Sequence, residues 1–262
     1  MIGPLPYIGG KRRLAKTIIE QIPPHTTYVE PFAGGCQVFF HKEPSRVEVL
    51  NDLDDEIINF LRVCQVHPEE LARTLAFAVA SRRLHQLLKE QVPSTLTDVQ
   101  RAGRFLYLQK NSFGGRRVRQ TFRFGVMKSS SFKADRLPQL LAAVAARLRH
   151  VQLECGPYED VLRRYDRPST FFYLDPPYVG LKLYRYNLPD EEFDRMANTL
   201  ATLRGRFLLS INDCELSRRM FSQFSIQRVP VAYTAARSVP VVHELLIANY
   251  SLPESVPSNT AA

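Results

Sequence analysis

From residue 27 to residue 66 the chain alternates short apolar strands with helix-periodic segments, and no other feature narrows the fold as much. Residues 27–30 read as a strand, 31–35 as a turn of small residues, 36–41 as a helix, and 47–50 as a second strand closed by Asn51 and Asp52. Asp54 stands where a helix N-cap belongs, and Ile57, Ile58 and Leu61 share one face of the helix predicted over 56–66. Strand, turn, helix, strand, helix is the opening of a doubly wound parallel sheet. A helix over 11–22 precedes it, stopped by Pro23 and Pro24.

The same alternation returns late in the chain. Strands are predicted over 151–153, 170–174 and 206–211, with helices over 158–165, 190–203 and 216–221. Two last strands, 226–233 and 244–250, are expected to pair antiparallel. Between the two halves lies a different block. Residues 68–88 are Leu-rich and helical, Pro93 breaks the pattern, and 98–110 and 135–150 are helical again. Residues 116–124, bracketed by glycines, form a basic hairpin or irregular loop. The expected organisation is an α/β sheet domain of residues 1–66 and 150–252. Residues 67–149 are inserted, and 253–262 form a Pro/Ser-rich flexible tail.

Charge locates a partner. Of 262 residues, 35 are Lys or Arg and 26 are Asp or Glu. Residues 101–136 hold ten of the bases and one acid, Asp135, so the rest of the chain carries 25 of each and is neutral. The whole excess of +9 sits in one segment, interleaved with Tyr107, Phe113, Phe122, Phe124 and Phe132. That is the footprint of a polyanion-binding element on a neutral body, and nucleic acid is the expected ligand. Arg116, Arg117, Arg119 and Arg123 are the expected phosphate contacts, some within reach of guanine edges. Four cysteines without a CxxC pair and six scattered histidines predict neither disulfides nor a metal site. No apolar run reaches membrane-spanning length, and the first residues lack a signal-peptide pattern. A cytoplasmic, membrane-free monomer is expected.

The chemistry gathers at three places. Asp175-Pro176-Pro177-Tyr178 directly follows the apolar strand 170–174, and parallel sheets bind ligands beyond the carboxyl ends of their strands. The prolines remove two amide donors, which leaves the Asp175 carboxylate and a proline carbonyl as acceptors beside the flat face of Tyr178. That set suits a planar ring bearing an NH2 group. Hydrogen bonds to Asp175 and the Pro176 carbonyl favour a tetrahedral nitrogen and stabilise its developing positive charge, while the aromatic face fixes the direction of attack. The second place is the turn Glu30-Pro31-Phe32-Ala33-Gly34-Gly35, which lets a cofactor approach the backbone, although it is not a GxGxxG fingerprint. Asp52, ending the next strand, suits ribose hydroxyls. Third, Lys11 follows Gly9-Gly10 at a predicted helix start, where a cation opposes the macrodipole; a ligand carboxylate would explain it.

In this order, Tyr7-Ile8-Gly9-Gly10-Lys11, Val29 to Gly35, Asn51-Asp52 and Asp175 to Tyr178 resemble the motifs of Dam-like (D12 class, alpha group) DNA adenine-N6 methyltransferases, over roughly residues 6–250. The resemblance implies a Rossmann-like class I methyltransferase sheet with helices on both faces and a mostly helical insertion carrying a basic hairpin. It implies S-adenosyl-L-methionine as methyl donor and double-stranded DNA as substrate, with the target adenine flipped out of the helix. By the same resemblance Tyr7, Lys11, Glu30, Pro31, Phe32, Ala33, Gly34, Gly35, Asp52 and Asp175 are the donor-site residues, and Asp175, Pro176, Pro177 and Tyr178 the catalytic ones. Lys110, Asn111, Arg116, Arg117, Arg119, Arg123 and Lys128 fall on the family's DNA-contacting segment. Residues 179–188, with Tyr184, Arg185 and Tyr186, are a candidate closing loop. Cys155-Gly156-Pro157-Tyr158 departs from the family pattern, in which an Asp is common near residue 157. Ser210 to Asp213 matches a late family segment, and a helix N-cap explains it equally well. Cytosine-N4 methylation, RNA methylation and a catalytically silent DNA-binding relative are the alternatives.

Overall fold

A computed structural model describes residues 3–5, 11, 13–113, 120–123, 132–181, 184–231 and 242–252. Its centre is a seven-stranded sheet made of β1 (Thr27–Glu30), β2 (Val47–Asn51), β3 (Gln152–Glu154), β4 (Thr170–Leu174), β5 (Arg206–Asn212), β6 (Ser225–Val231) and β7 (Val242–Ala248). The spatial order is β3-β2-β1-β4-β5-β7-β6. The first five strands run parallel, and β7 lies antiparallel to both β5 and β6. This is the doubly wound, Rossmann-like arrangement that the alternation predicts, and the late antiparallel pair is present. The chain reverses its winding direction between β1 and β4, which are paired neighbours with Thr27 beside Thr170 and Val29 beside Phe172. Segments leaving their carboxyl ends, 31–35 and 175–178, therefore emerge side by side at the switch point.

The inner strands β1, β2, β4, β5 and β7 are largely apolar because they are covered on both faces, whereas the edge strands β3 and β6 are partly exposed. Alternate residues serve opposite layers. Tyr28, Leu50, Phe171, Tyr173, Leu208 and Leu246 join one core, with side chains from α1 (Ala15–Glu20), α2 (Gln37–His41) and α3 (Asp55–Val66). Val29, Val49, Phe172, Leu174, Leu209 and Ile247 join the other, with α8 (Tyr158–Tyr165), α9 (Asp190–Ala201) and α10 (Glu215–Met220). Between β2 and β3 lie α4 (Pro68–Thr74), α5 (Arg82–Glu90), α6 (Asp98–Asn111) and α7 (Leu137–Leu148). Leu71, Phe105 and Leu141 of this block belong to the first core, so the helices are continuous with the layer above the sheet. Arg147 of α7 reinforces that join: it pairs with buried Glu48 of β2 and lies over the Phe39 ring at 3.7 Å.

Two predicted helices differ. The one expected over 11–22 begins at Ala15, because Lys11 is drawn into a buried ion pair described below. The single helix expected over 68–88 is two, because Ser81 caps a new one by accepting from the Leu84 amide. Asp54 caps α3 as predicted, accepting from the Glu56 amide. Tyr7, Arg116, Arg117, Arg119, Lys128, the end of the strand predicted over 226–233 and the tail 253–262 lie outside the described residues. Among the described residues no helix is long and apolar enough to cross a membrane.

Candidate active site

Asp175 leaves the end of β4 with its side chain 24% exposed, facing a hollow at the switch point. Lys11, almost fully buried, places Nζ 2.5 Å from Asp175 Oδ1 and donates to the Tyr178 hydroxyl at 3.1 Å. The Tyr178 hydroxyl in turn donates to Glu244 Oε1 at 2.7 Å, and Glu244 Oε2 lies 3.3 Å from Lys11 Nζ. The Lys11 ammonium also sits 4.8 Å from the centre of the Tyr178 ring. Ser210 of β5 reaches Asp175 at 3.5 Å and shares a hydrogen bond with the Tyr173 hydroxyl at 2.8 Å.

The electrostatics follow from this packing. Burial pushes the Asp175 carboxyl up, and Glu244 adds to the push while Lys11 opposes it; the outcome is about 6. Asp175 is thus ionised at neutral pH. Burial alone would lower the Lys11 ammonium, but Asp175 and Glu244 outweigh it and hold it well above the usual lysine range. Lys11 is accordingly a fixed cation committed to protein carboxylates. That explains the charge which the sequence placed at a helix start.

The second wall is the turn after β1. Gly34 adopts the left-handed region at φ 49° and donates its amide to Asp52 Oδ2 at 2.8 Å. The Ala33 amide donates to the Asn51 carbonyl at 2.8 Å. Asn51, buried, donates its amide to the carbonyls of Pro31 and Gly156 and accepts from the Gly156 amide. One side chain thereby ties the turn after β1 to the segment after β3. Asp52 Oδ1 accepts from the Asp54 amide, so Asp52 holds two backbone groups as well as facing the hollow. Glu30 is buried beneath the turn, accepting from the Tyr28 hydroxyl at 2.6 Å and the Phe39 amide at 2.9 Å. Burial outweighs both bonds and pushes its carboxyl up to about 8.

Two adjoining hollows run across this surface and share Phe32, Gly34, Asp175 and Tyr184. The first reaches Lys11, Glu30 and Gly35; the second reaches Asp52, Asp54 and Pro177. Arg185 closes the outer side of the second with a 2.8 Å pair to Asp54, which brings the loop after the tetrapeptide to the start of α3. The structure therefore brings together Lys11, residues 30–35, Asp52 and residues 175–178, which are far apart in sequence.

The basic segment shows its base. Ser112 and Phe122 form an antiparallel bridge, the Phe113 amide donates to the Thr121 carbonyl, and the Arg123 amide donates to the Asn111 carbonyl. Arg123 is exposed. Asn111, expected to face DNA, is instead buried, its amide turned back onto the Tyr107 carbonyl one helical turn earlier. Lys110 is half-buried, and burial lowers its ammonium below the usual lysine range.

Sequence reasoning missed Glu244, the one acid in the strand Val242–Ala248; an isolated acid in an apolar strand was the available signal. It left Asn212 between two readings, and the structure separates them. Cys214 caps α10, while Asn212 accepts from the Val179 amide at 2.9 Å and donates to its carbonyl at 3.3 Å. Asp213 pairs with Arg218 and Arg228.

Residues 7–235 match the family model of the D12 class N6 adenine-specific DNA methyltransferases, and the chain belongs to that family. It is 24% identical to the type II methyltransferase M1.LlaDCHI of Lactococcus lactis subsp. cremoris, across 93% of this chain and 94% of that protein. It is 26% identical to a DNA adenine methylase of Serratia marcescens, across 92% and 96%. Among solved structures it is similar to an rRNA methylase from Streptococcus thermophilus, with a TM-score of 0.39 and 10% identity over 90% of this chain and 93% of that one.

Proposed function

We propose that this chain transfers the methyl group of S-adenosyl-L-methionine to N6 of an adenine flipped out of double-stranded DNA. The observation that carries the reading is Asp175, paired with Lys11 at the switch point and facing a hollow walled by the glycine turn. The residues fit the donor. Ala33, Gly34 and Gly35 leave a backbone wall free of bulky side chains, and the acids Glu30 and Asp52 stand at the ends of β1 and β2. Glu30 and the turn 31–35 would hold the methionine part, and Asp52 the ribose hydroxyls. When bound, the donor supplies an electrophilic methyl on a sulfonium, which leaves as a neutral thioether.

The chain's own residues then act on the amine. Asp175 and the Pro176 carbonyl accept from the two N6 hydrogens, which draws the nitrogen lone pair out of conjugation with the ring. As the carbon–nitrogen bond forms and the carbon–sulfur bond breaks, positive charge grows on N6, Asp175 stabilises it, and the methylated nitrogen then gives up one proton to solvent. Lys11 keeps Asp175 anionic. Tyr178 and the stiff Pro176-Pro177 pair fix the approach. Residues 67–149 form the target-recognition part, and Arg116, Arg117, Arg119, Arg123 and Lys128 contact DNA phosphates or bases. Lys110 and Asn111 support this segment from the end of α6.

The test is product analysis. Purified chain is incubated with unmethylated genomic DNA and labelled S-adenosyl-L-methionine, and the DNA is digested to nucleosides. N6-methyladenine is expected, and Asp175→Ala should lower its yield by at least about 100-fold while DNA binding persists. N4-methylcytosine as product would overturn the adenine assignment. Unchanged turnover in Asp175→Ala would overturn the role of the carboxylate.

A further inference from the structure

We infer that Glu244 is a positioning residue for methyl transfer: it grips the Tyr178 hydroxyl and the Lys11 ammonium from the antiparallel strand and so holds the tetrapeptide in one shape. This rests on the methyltransferase reading above.

Glu244 is 2% exposed and is followed in β7 by buried Leu245, Leu246 and Ile247. An apolar residue would serve packing there, and a carboxylate buried in such a place is unfavourable unless its partners compensate. Its partners are both in the site. Oε1 accepts from the Tyr178 hydroxyl at 2.7 Å, and Oε2 lies 3.3 Å from Lys11. Lys11 then reaches Asp175 at 2.5 Å, so Glu244 and Asp175 share one cation, and the cluster is anionic where the amine becomes positive.

The sheet explains how a residue so late in the chain arrives there. In the β5–β7 register Glu244 stands opposite Asn212, and Asn212 bonds both backbone groups of Val179. The loop is thus anchored at two successive residues by a pair of neighbours on adjacent strands: Tyr178 through its hydroxyl, Val179 through its backbone. Tyr178 cannot swing its side chain out of the site about χ1 without giving up the acceptor on Glu244.

The experiment compares Glu244→Met, which fills the same space without an acceptor, with Glu244→Gln, which keeps an oxygen for the Tyr178 hydroxyl. Each is made alone and with Tyr178→Phe. Turnover at saturating S-adenosyl-L-methionine, calorimetric affinity for the same compound, and Tm are measured. Glu244→Met should lower kcat by about 30-fold and leave donor affinity within about threefold, while Glu244→Gln recovers to within about tenfold of the parent. On the Tyr178→Phe background the methionine should lower kcat by less than about threefold further, because the hydroxyl it serves is already gone. A methionine variant within about twofold of the parent, or one whose full loss repeats beside Tyr178→Phe, would overturn the inference. Should that variant fail to fold, Glu244→Asp, which withdraws the acceptor and keeps the charge, takes its place under the same criteria. A parent chain that yields no methylated nucleoside overturns the underlying reading instead, and the two failures are told apart by that first measurement.

Discussion

Glu30 shows what burial does to a single side chain in this site. Its carboxyl is raised from 4.5 to about 8, because desolvation outweighs the bonds from the Tyr28 hydroxyl and the Phe39 amide. Between those two values the folded chain holds a proton that the unfolded chain has released, so stability falls as pH rises through that window. Glu30→Gln copies the protonated form: its amide oxygen accepts the same two bonds, and no charge has to be buried. Thermal unfolding of the ligand-free chain should therefore show a flatter Tm between pH 5 and pH 8 in the variant, with the variant the more stable at the upper end. An unchanged slope would place the titration elsewhere. Glu30, Asp52 and Asp175 were all readable from sequence as acids ending apolar strands. Asn111 was not, because a helical side chain's direction depends on whether it bonds back to the preceding turn, and composition does not encode that choice.

At the level of elements, the strand ends do the positioning. β4 delivers Asp175, β2 delivers Asn51 and Asp52, and β5 delivers Asn212, whose amide clamps Val179 immediately after the tetrapeptide. Asn212→Ala removes both bonds of that clamp. It should cost about 1–2 kcal/mol in denaturant unfolding and lower kcat by about tenfold through a loosened tetrapeptide. Asn212→Asp, which still accepts from the Val179 amide, should fall between. Equal kcat for all three would show that Pro176 and Pro177 alone hold the loop. Strands β1 and β4 and helix α8 match their sequence boundaries, because continuous apolar runs and turn residues fix them locally. The failures were also physical. Lys11 was read as the start of a helix although its energy lies in partners more than 160 residues away, and the break at Ser81 came from a capping hydroxyl inside a helical pattern.

Across the whole molecule the charge excess is confined to one stretch. The excess of +9 lies in 101–136, which begins inside α6 and ends just before α7; Arg101 and Arg104 of that stretch pair with Asp55 and Glu56 of α3, and the rest of the chain carries equal numbers of acids and bases. The described residues on either side of 114–119 are bonded to each other through the Ser112–Phe122 bridge and the bond from the Arg123 amide to the Asn111 carbonyl at the end of α6. The switch-point site and the basic segment lie far apart in sequence and can be altered separately. Neutralising Arg116, Arg117, Arg119 and Arg123 together should leave Tm and donor affinity near those of the parent. DNA binding, by contrast, should weaken, and the slope of log affinity against log salt should become shallower by about 3–4, close to one per lost phosphate contact on duplex DNA. The measurement is a fluorescence titration with a duplex of fixed sequence at several salt concentrations. A slope that does not move would remove 101–136 from the DNA face. Weakening without a change in slope would mean that these arginines read bases rather than phosphates. Outside 101–136 no stretch of the chain carries a comparable net charge, so the slope reports chiefly on this segment.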